Sequence, residues 1–164
     1  MSLFFNSQNP IPMFKVGYPT ESDKYNVYPA VLQGTDPVHF GDMVMFGDTA
    51  GYYKKVASAS AVEKLAGFVL ATNVKLADYP SGDVKVYPGE AFNLVAPNSY
   101  LAVKLASTAV LADVVPNGVV KVYLSDGQLT TSSVTTNTTT LPNVVFTGKV
   151  EKHGDDIVAE IFVK

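Results

Sequence analysis

Apolar and polar residues alternate along several short stretches of this chain. In residues 118–123, Val120 and Val122 share one face while Lys121 points to the other, and residues 84–87 repeat the pattern around Lys85. A period of two is the signature of a half-buried β-strand. The alternation therefore predicts an all-β protein. Two more strands are predicted with apolar faces formed by Leu101, Val103 and Leu105, and by Ile157, Ala159, Ile161 and Val163.

Turn residues bound these strands. Asp126-Gly127 is a strong hairpin signal between residues 119–124 and 128–131, because both residues tolerate positive φ. Pro88-Gly89 suits the centre of a type II turn, after which we expect residues 90–95 to return antiparallel to the preceding strand. Further hairpins are predicted at residues 43–56, around Gly47 to Gly51, and at residues 144–163, around His153 to Asp156.

One stretch breaks the period of two. Ser60 and Glu63 match a capping box, which predicts one or two helical turns through Lys64, Leu65 and Ala66 before Gly67 ends them. The apolar run 68–72 that follows is short and bounded by turn residues. We interpret it as a buried strand.

The N-terminal residues and a Thr-rich stretch differ from these strands. Residues 1–35 contain Pro10, Pro12, Pro19 and Pro29 without sustained alternation, and this predicts an extended N-terminal arm. Its apolar side chains must dock on the arm's own domain or on a neighbouring subunit. Residues 36–164 are expected to form a single β-domain, with a solvated Thr-rich loop at residues 130–140.

Eight to ten short strands with little helix are typical of a small barrel or a sandwich. We predict an all-β fold, a small β-barrel (SH3-like or related) or sandwich with an extended N-terminal arm. A jelly roll is the alternative.

Composition narrows the function. Charged residues make up 16% of the chain, against about 25% in average soluble domains. So few charges leave a partly apolar surface, which indicates permanent partners, unless Thr, Ser, Asn and Tyr residues solvate the surface. The net charge is −3 and all 12 basic residues are Lys, so bidentate guanidinium contacts to phosphate are absent and nucleic acid is not an expected ligand. The chain has no Cys, no apolar run of membrane-spanning length and no N-terminal export pattern, so we expect no membrane partner and synthesis and use in a cytosol.

No residue constellation indicates a reaction. His39 and His153 are the only histidines and have no metal-ligand spacing, so we expect no metal and no cofactor. An enzyme would need one of them beside a carboxylate and a hydroxyl in one pocket. The chain has nine Tyr and nine Phe but no Trp, which leaves open a carbohydrate- or receptor-binding β-module of a fibre or surface protein.

Several motifs occur in an order that resembles a known family. These are the Gly-Asp-x-Val motif within residues 37–44, Lys-Lys-Val-Ala at 54–57, Ala-Gly-Phe-Val-Leu-Ala at 66–71, and Gly-Asp-Val-Lys-Val-Tyr-Pro-Gly-Glu at 82–90. Together they resemble the capsid-decorating structural cement proteins of tailed bacteriophages. Phe68 departs from the small apolar residue usual in that family, and the arm and the Thr-rich loop have no clear counterpart there.

The resemblance implies a non-enzymatic virion protein, assembled in the bacterial host cytoplasm. It would lie on the capsid exterior, bind the major capsid protein lattice and neighbouring copies of itself, and stabilise the shell. We expect the arm to make partner contacts through Phe4, Phe5, Phe14 and Tyr18.

Overall fold

The described residues of the computed structural model are 15–21, 25–59, 61–71 and 85–164, and they form twelve β-strands and two single 3-10 turns. None of their helical segments is long and apolar enough to cross a membrane. The strands are β1 Val27–Leu32, β2 Val38–His39, β3 Met43–Phe46, β4 Tyr52–Lys55, β5 Leu65–Leu70, β6 Lys85–Val86, β7 Ala91–Val95, β8 Ser99–Lys104, β9 Gly118–Tyr123, β10 Leu129–Thr131, β11 Thr138–His153 and β12 Asp156–Val163. The 3-10 turns are Val62–Lys64 and Leu111–Asp113.

The first half of the chain forms a closed five-stranded barrel in the order β1-β4-β3-β5-β7. All neighbouring strands are antiparallel except β1 and β4, which are parallel. Side chains of alternate residues fill the barrel, because successive residues of a strand point to opposite faces. The barrel core consists of Ala30, Leu32, Val38, Phe40, Val44, Val69, Val86, Phe92 and Leu94.

The second half forms a five-stranded sheet in the order β10-β9-β11-β12-β8. An isolated parallel bridge between Leu105 and Leu129 brings its two ends together, so the sheet curls around its inner face. That face carries the larger core, whose fully buried members include Leu101, Val120, Phe146 and Ile161.

The barrel wall joins the two cores. In β5, Val69 points into the barrel while Phe68 and Leu70 pack into the core of the sheet. In β3, Val44 points inward and Met43 packs outward in the same way. These strands are buried on both faces, which explains why residues 68–70 form a continuous apolar run rather than an alternating one.

The all-β class and the barrel are confirmed, as are the hairpins joining β3 to β4, β9 to β10 and β11 to β12. The turn at Pro88-Gly89 is also confirmed, since Gly89 has φ 87° and the Glu90 N–H donates to the Tyr87 carbonyl over 3.0 Å.

The expected antiparallel return after that turn is wrong. β7 pairs with β1 and β5, and β6 pairs instead with β2 through Val38–Val86 and His39–Lys85. Val38 and Val86 are 0% and 2% exposed and belong to the barrel core. Both edges of β7 are already paired, with β1 and with β5. β6 therefore pairs with β2, and this pairing buries the two valines in the barrel core.

The predicted helical turns shrink to the 3-10 turn Val62–Lys64, which has no side-chain cap. Leu65 and Ala66, expected to be helical, are the first residues of β5. Ser60 lies outside the described residues. A segment this short has no stability of its own, and strand pairing with β3 decides its conformation.

The Thr-rich stretch 130–140 is not one solvated loop. Thr130 and Thr131 lie in β10 and are fully buried, and β11 begins at Thr138. Thr is β-branched and suits strands, and the Thr131 hydroxyl accepts a hydrogen bond from the Val110 N–H over 2.9 Å. Only residues 132–137 form the loop, which Asp113 holds by accepting from the Ser133 N–H over 2.8 Å.

β1 lies within the range expected to be an extended arm. The Leu32 N–H donates to the Glu90 carbonyl, and the Ala96 N–H donates to the Asn26 carbonyl. The backbone groups of even-numbered residues in β1 therefore point toward β7, and those of Pro29 point away from it. β4 pairs only with Val31 and Leu32, so Pro29 lies on an open edge where no donor is needed. Proline is therefore compatible with this strand. Residues 1–14 lie outside the described residues, and an arm there remains a prediction.

Candidate interaction surface

The histidines do not assemble a catalytic site with each other. The His39 Nδ1 atom lies 3.4 Å from Asp42 Oδ2 in the barrel, and the His153 Nε2 atom lies 3.0 Å from Glu151 Oε2 near the β11–β12 turn. Within the described ranges, no three His, Asp or Glu side chains are grouped to hold a metal ion. These carboxylates are two or three residues from their histidines, which is the local pairing expected of turn and strand neighbours.

The outer face of the five-stranded sheet carries a row of apolar side chains. Val119 of β9 pairs with Val145 of β11, Val145 pairs with Phe162 of β12, and Phe162 pairs with Tyr100 of β8. We call these four residues the outer strip. The rings of Tyr100 and Phe162 stack with centroids 4.7 Å apart. The strip therefore crosses four strands in register on one face.

A groove of about 240 Å³ lies over the strip and is lined by its residues Tyr100, Val145 and Phe162. Its rim includes Pro116, Asn117 and Thr147, none of which is charged. Val119 is 41% exposed and Val115, near the same end, is 48% exposed. Tyr100, Val145 and Phe162 are partly exposed. Contiguous apolar surface on a folded domain often marks an interaction site, whereas isolated apolar residues are common on ordinary surfaces.

The same face becomes polar farther along the strands. Glu160 is 1% exposed, and its Oε1 accepts from the Thr147 hydroxyl at 2.6 Å and lies 3.1 Å from the Lys149 ammonium. Burial alone would raise the pKa of Glu160, but the hydroxyls of Thr147 and Thr20 and the Lys149 charge outweigh it and hold the pKa below its ordinary value. The Glu160 carboxylate is thus held ionised, although neighbouring segments of the chain cover it.

Residues 15–20 provide part of that cover. They run antiparallel to β8, with Gly17 donating to the Ala102 carbonyl over 2.8 Å and Thr20 donating to the Tyr100 carbonyl over 3.3 Å. Val16 packs on Ala102 and Val158, which lie on the outer face of the sheet. The Gly17 carbonyl also accepts from the Ala71 N–H over 2.7 Å. This segment therefore joins the sheet edge to the barrel.

Of the four residues expected to contact partners, the structure describes only Tyr18. Tyr18 is half-buried and its ring packs edge-on against Phe40 of the same chain, with centroids 6.5 Å apart. The Lys15 ammonium lies 5.8 Å from its centroid. Phe4, Phe5 and Phe14 lie outside the described residues. Tyr18 thus anchors the base of the N-terminal segment to the barrel, in a contact within one chain.

The sequence interpretation missed the outer strip. Its signal was present, because Tyr100, Val145 and Phe162 stand at the positions that alternation assigns to the exposed face. An apolar residue on a predicted exposed face of one strand is unremarkable. Only the register, which places three such residues beside Val119 on adjacent strands, turns them into a surface.

Comparison with known proteins identifies relatives of this chain. A family model described as structural cement protein (E217 gp24/Pam3 gp6) matches residues 7–162. The fold matches a chain in the solved structure of the capsid of Myoviridae Phage XM1, with a TM-score of 0.69 and 16% identity over 100% of this chain and 99% of that chain. At this identity the likeness shows a shared fold. A search of curated proteins finds no match.

Proposed function

The chain belongs to the phage structural cement protein family, and we propose that it binds the outside of the major capsid protein lattice and stabilises the shell. The observation that carries the proposal is the family match, which covers residues 7–162 and therefore both the barrel and the sheet. The chain would act by binding alone, with no catalytic step. It would be assembled onto virions in the cytoplasm of the bacterial host.

The surface of the protein supports a binding role. The outer strip offers apolar contact area on a sheet whose inner face is already filled, so its residues are available without disturbing the core. Aromatic residues give large contact area with few rotatable bonds, and they are enriched in the centres of interfaces. Many copies on a lattice can hold a shell through contacts that are individually weak, since linked binding events reinforce one another.

The N-terminal segment is the second contact in this proposal. Phe4, Phe5 and Phe14 would bind neighbouring subunits, while Tyr18 holds the base of the segment on Phe40. The partners would be the major capsid protein and neighbouring copies of this chain. Nucleic acid and membrane are not proposed as partners.

The test is binding of the purified chain to undecorated shells from its source. The expected result is co-sedimentation in numbers comparable to the major capsid protein, counted by mass spectrometry, together with a higher temperature of shell rupture. A few copies per particle would instead indicate a fibre or vertex component. No binding would refute the cement role and make glycan binding by the free protein the next assay.

A matched pair of variants locates the contact. Val119 and Val110 are both 41% exposed, but only Val119 lies in the outer strip. Val119→Lys should weaken shell binding, because it places a charge in an apolar contact between subunits of the decorated shell, whereas Val110→Lys should bind like the unaltered chain. Equal binding by both variants would exclude the strip from the contact.

A further inference from the structure

We infer that the outer strip of one copy binds residues 1–14 of a neighbouring copy, so that adjacent copies are linked by exchanged N-terminal segments. The inference takes its setting, a lattice of adjacent copies, from the proposed function. It is nevertheless a property of the chain itself, and it can be tested without a shell.

The chemistry of the segment matches that of the strip. Residues 1–14 contain no Asp, Glu, Lys or Arg. The strip and the rim residues Pro116, Asn117 and Thr147 are uncharged as well. Burying uncharged apolar groups against each other costs no ion desolvation and removes apolar surface from water. The apolar side chains of the segment are Met1, Leu3, Phe4, Phe5, Ile11, Met13 and Phe14.

The direction of the chain favours a neighbour over the chain's own strip. Residues 17–20 run beside β8 with Gly17 next to Ala102 and Thr20 next to Tyr100. Followed toward the N-terminus, the chain therefore moves along β8 away from Tyr100, and Val16 already packs at the level of Val158. To reach its own strip, the segment would have to reverse direction directly before Lys15.

Proline favours an extended segment. Pro10 and Pro12 fix their own φ and favour extended conformations in the residues before them. Fourteen extended residues span at most about 46 Å. By comparison, the distance from the first to the last strand of a five-stranded sheet is about 19 Å. A segment that leaves the sheet edge in this direction is long enough to reach a second copy.

The outer strip also offers a site of suitable size. It crosses four adjacent strands, and the groove over it is about 240 Å³ in volume. A groove of this volume accommodates one or two aromatic side chains of a peptide, and the adjoining valines supply the flanking contact. Phe4 and Phe5 form the densest aromatic pair of the segment.

The experiment is photo-cross-linking of the full chain with the photoreactive residue p-benzoylphenylalanine in place of Phe5. Copies labelled with ¹⁴N and with ¹⁵N are mixed in equal amounts over a series of concentrations, irradiated, and digested for mass spectrometry. The expected products join the segment of one label to peptides of β9, β11 or β12 of the other label. Mixed-label products should be half of all inter-copy products, and their yield should rise with concentration.

Two variants make the result specific. Val119→Lys should lower the yield of mixed-label products at the strip several-fold, and the equally exposed Val110→Lys should leave it unchanged. Products confined to one label would show that the segment folds back on its own chain and would overturn the inference. Mixed-label products at another surface, or equal yields in the two variants, would also overturn it. Because no shell is present, none of these outcomes depends on whether the chain decorates capsids.

Discussion

The barrel and the five-stranded sheet differ in how their strand edges and faces are covered. The barrel closes on itself, so most of its strands have a neighbour on both sides, and the open edge of β1 carries Pro29. Among the described residues, the sheet closes through the isolated bridge between Leu105 and Leu129 and through residues 17–20 beside β8. The barrel needs little cover, whereas the sheet depends on segments from elsewhere in the chain.

The faces differ in the same sense. The wall of the barrel that contains β3 and β5 is buried against the core of the sheet. In the part of the chain that the structure describes, the sheet has an inner face filled by that core and an outer face with no second layer of sheet. Residues 15–20 cover part of the outer face near Glu160, and the outer strip lies on another part. The surface available for partners is therefore the one that the fold leaves single-layered.

The largest expected effect comes from breaking the contact between the two regions. Phe68 lies on barrel strand β5 but packs into the core of the sheet, and it is 2% exposed. Phe68→Ala should lower the free energy of unfolding by about 3 to 5 kcal/mol, the usual cost of deleting a buried ring. Urea unfolding followed by circular dichroism measures it. Because one side chain serves both regions, a single transition should shift.

Phe46→Ala is the control for this substitution. Phe46 is also on a barrel strand, but it is 52% exposed at the end of β3 and contacts Tyr53. It should cost less than about 1 kcal/mol, since exposed positions contribute little to the core. Two separate transitions in Phe68→Ala, with only one of them shifted, would show that barrel and sheet unfold independently.

A smaller effect is expected where a turn of the sheet touches the barrel. Gly127, between β9 and β10, has φ 78°, and a Cβ there would lie 2.8 Å from Val56 Cγ2 and 3.3 Å from Met43 Cβ. Gly127→Ala should cost about 2 to 4 kcal/mol, because left-handed backbone strain adds to overpacking. The midpoint of thermal unfolding should fall accordingly.

Gly154→Ala separates the two causes. Gly154, in the β11–β12 turn, has φ 63°, but a Cβ there would have nothing within 4 Å. It carries the backbone strain alone and should cost about 1 to 2 kcal/mol. Equal destabilisation by the two substitutions would mean that the turn at Gly127 moves away from the barrel at no cost.

The sequence predicted those parts of the fold in which one strand decides its own conformation. β8 and β12 alternate because each has one face in the core, and Gly127 marks its turn through its own φ. The partner of β6 was not predictable in this way, since pairing with β2 depends on burying Val38 and Val86 together inside the barrel. Composition was equally misleading for Thr130 and Thr131, which look solvated but are buried.

The outer strip was even less predictable from the sequence, because it depends on which strands pair and in what register. Val119 and Val145 are 26 positions apart in the sequence numbering, and their adjacency follows from the register of β9 and β11. The role of the buried Glu160 was not predictable either, because it depends on Lys149 and Thr147 from the neighbouring strand. Sequence patterns indicate which residues face one way along a strand, but not which strands lie side by side.

The smallest expected effect lies on the polar half of the outer face of the sheet. The pKa of Glu160 is below its ordinary value near 4.5, so ionisation of Glu160 stabilises the fold above that pH. This contribution is lost as the pH falls through the folded-state pKa. Glu160→Gln keeps an acceptor for Thr147 but removes the charge. It should cost about 1 kcal/mol at neutral pH, since Lys149 is half-exposed and its attraction is screened.

The pH dependence of that difference is the sharper measurement. Unfolding curves of the chain and of Glu160→Gln should converge in acid, because the protonated carboxyl of Glu160 then resembles the amide. Amide exchange at Gly17 and Thr20 should speed up in the variant at neutral pH, since their hydrogen bonds to β8 lie beside this carboxylate. Glu63 is exposed, so Glu63→Gln serves as the control and should leave the unfolding curves unchanged at neutral pH and in acid. If the variant and the unaltered chain kept a constant difference down to strong acid, the cover of residues 15–20 would depend on packing of Val16 rather than on the charge of Glu160.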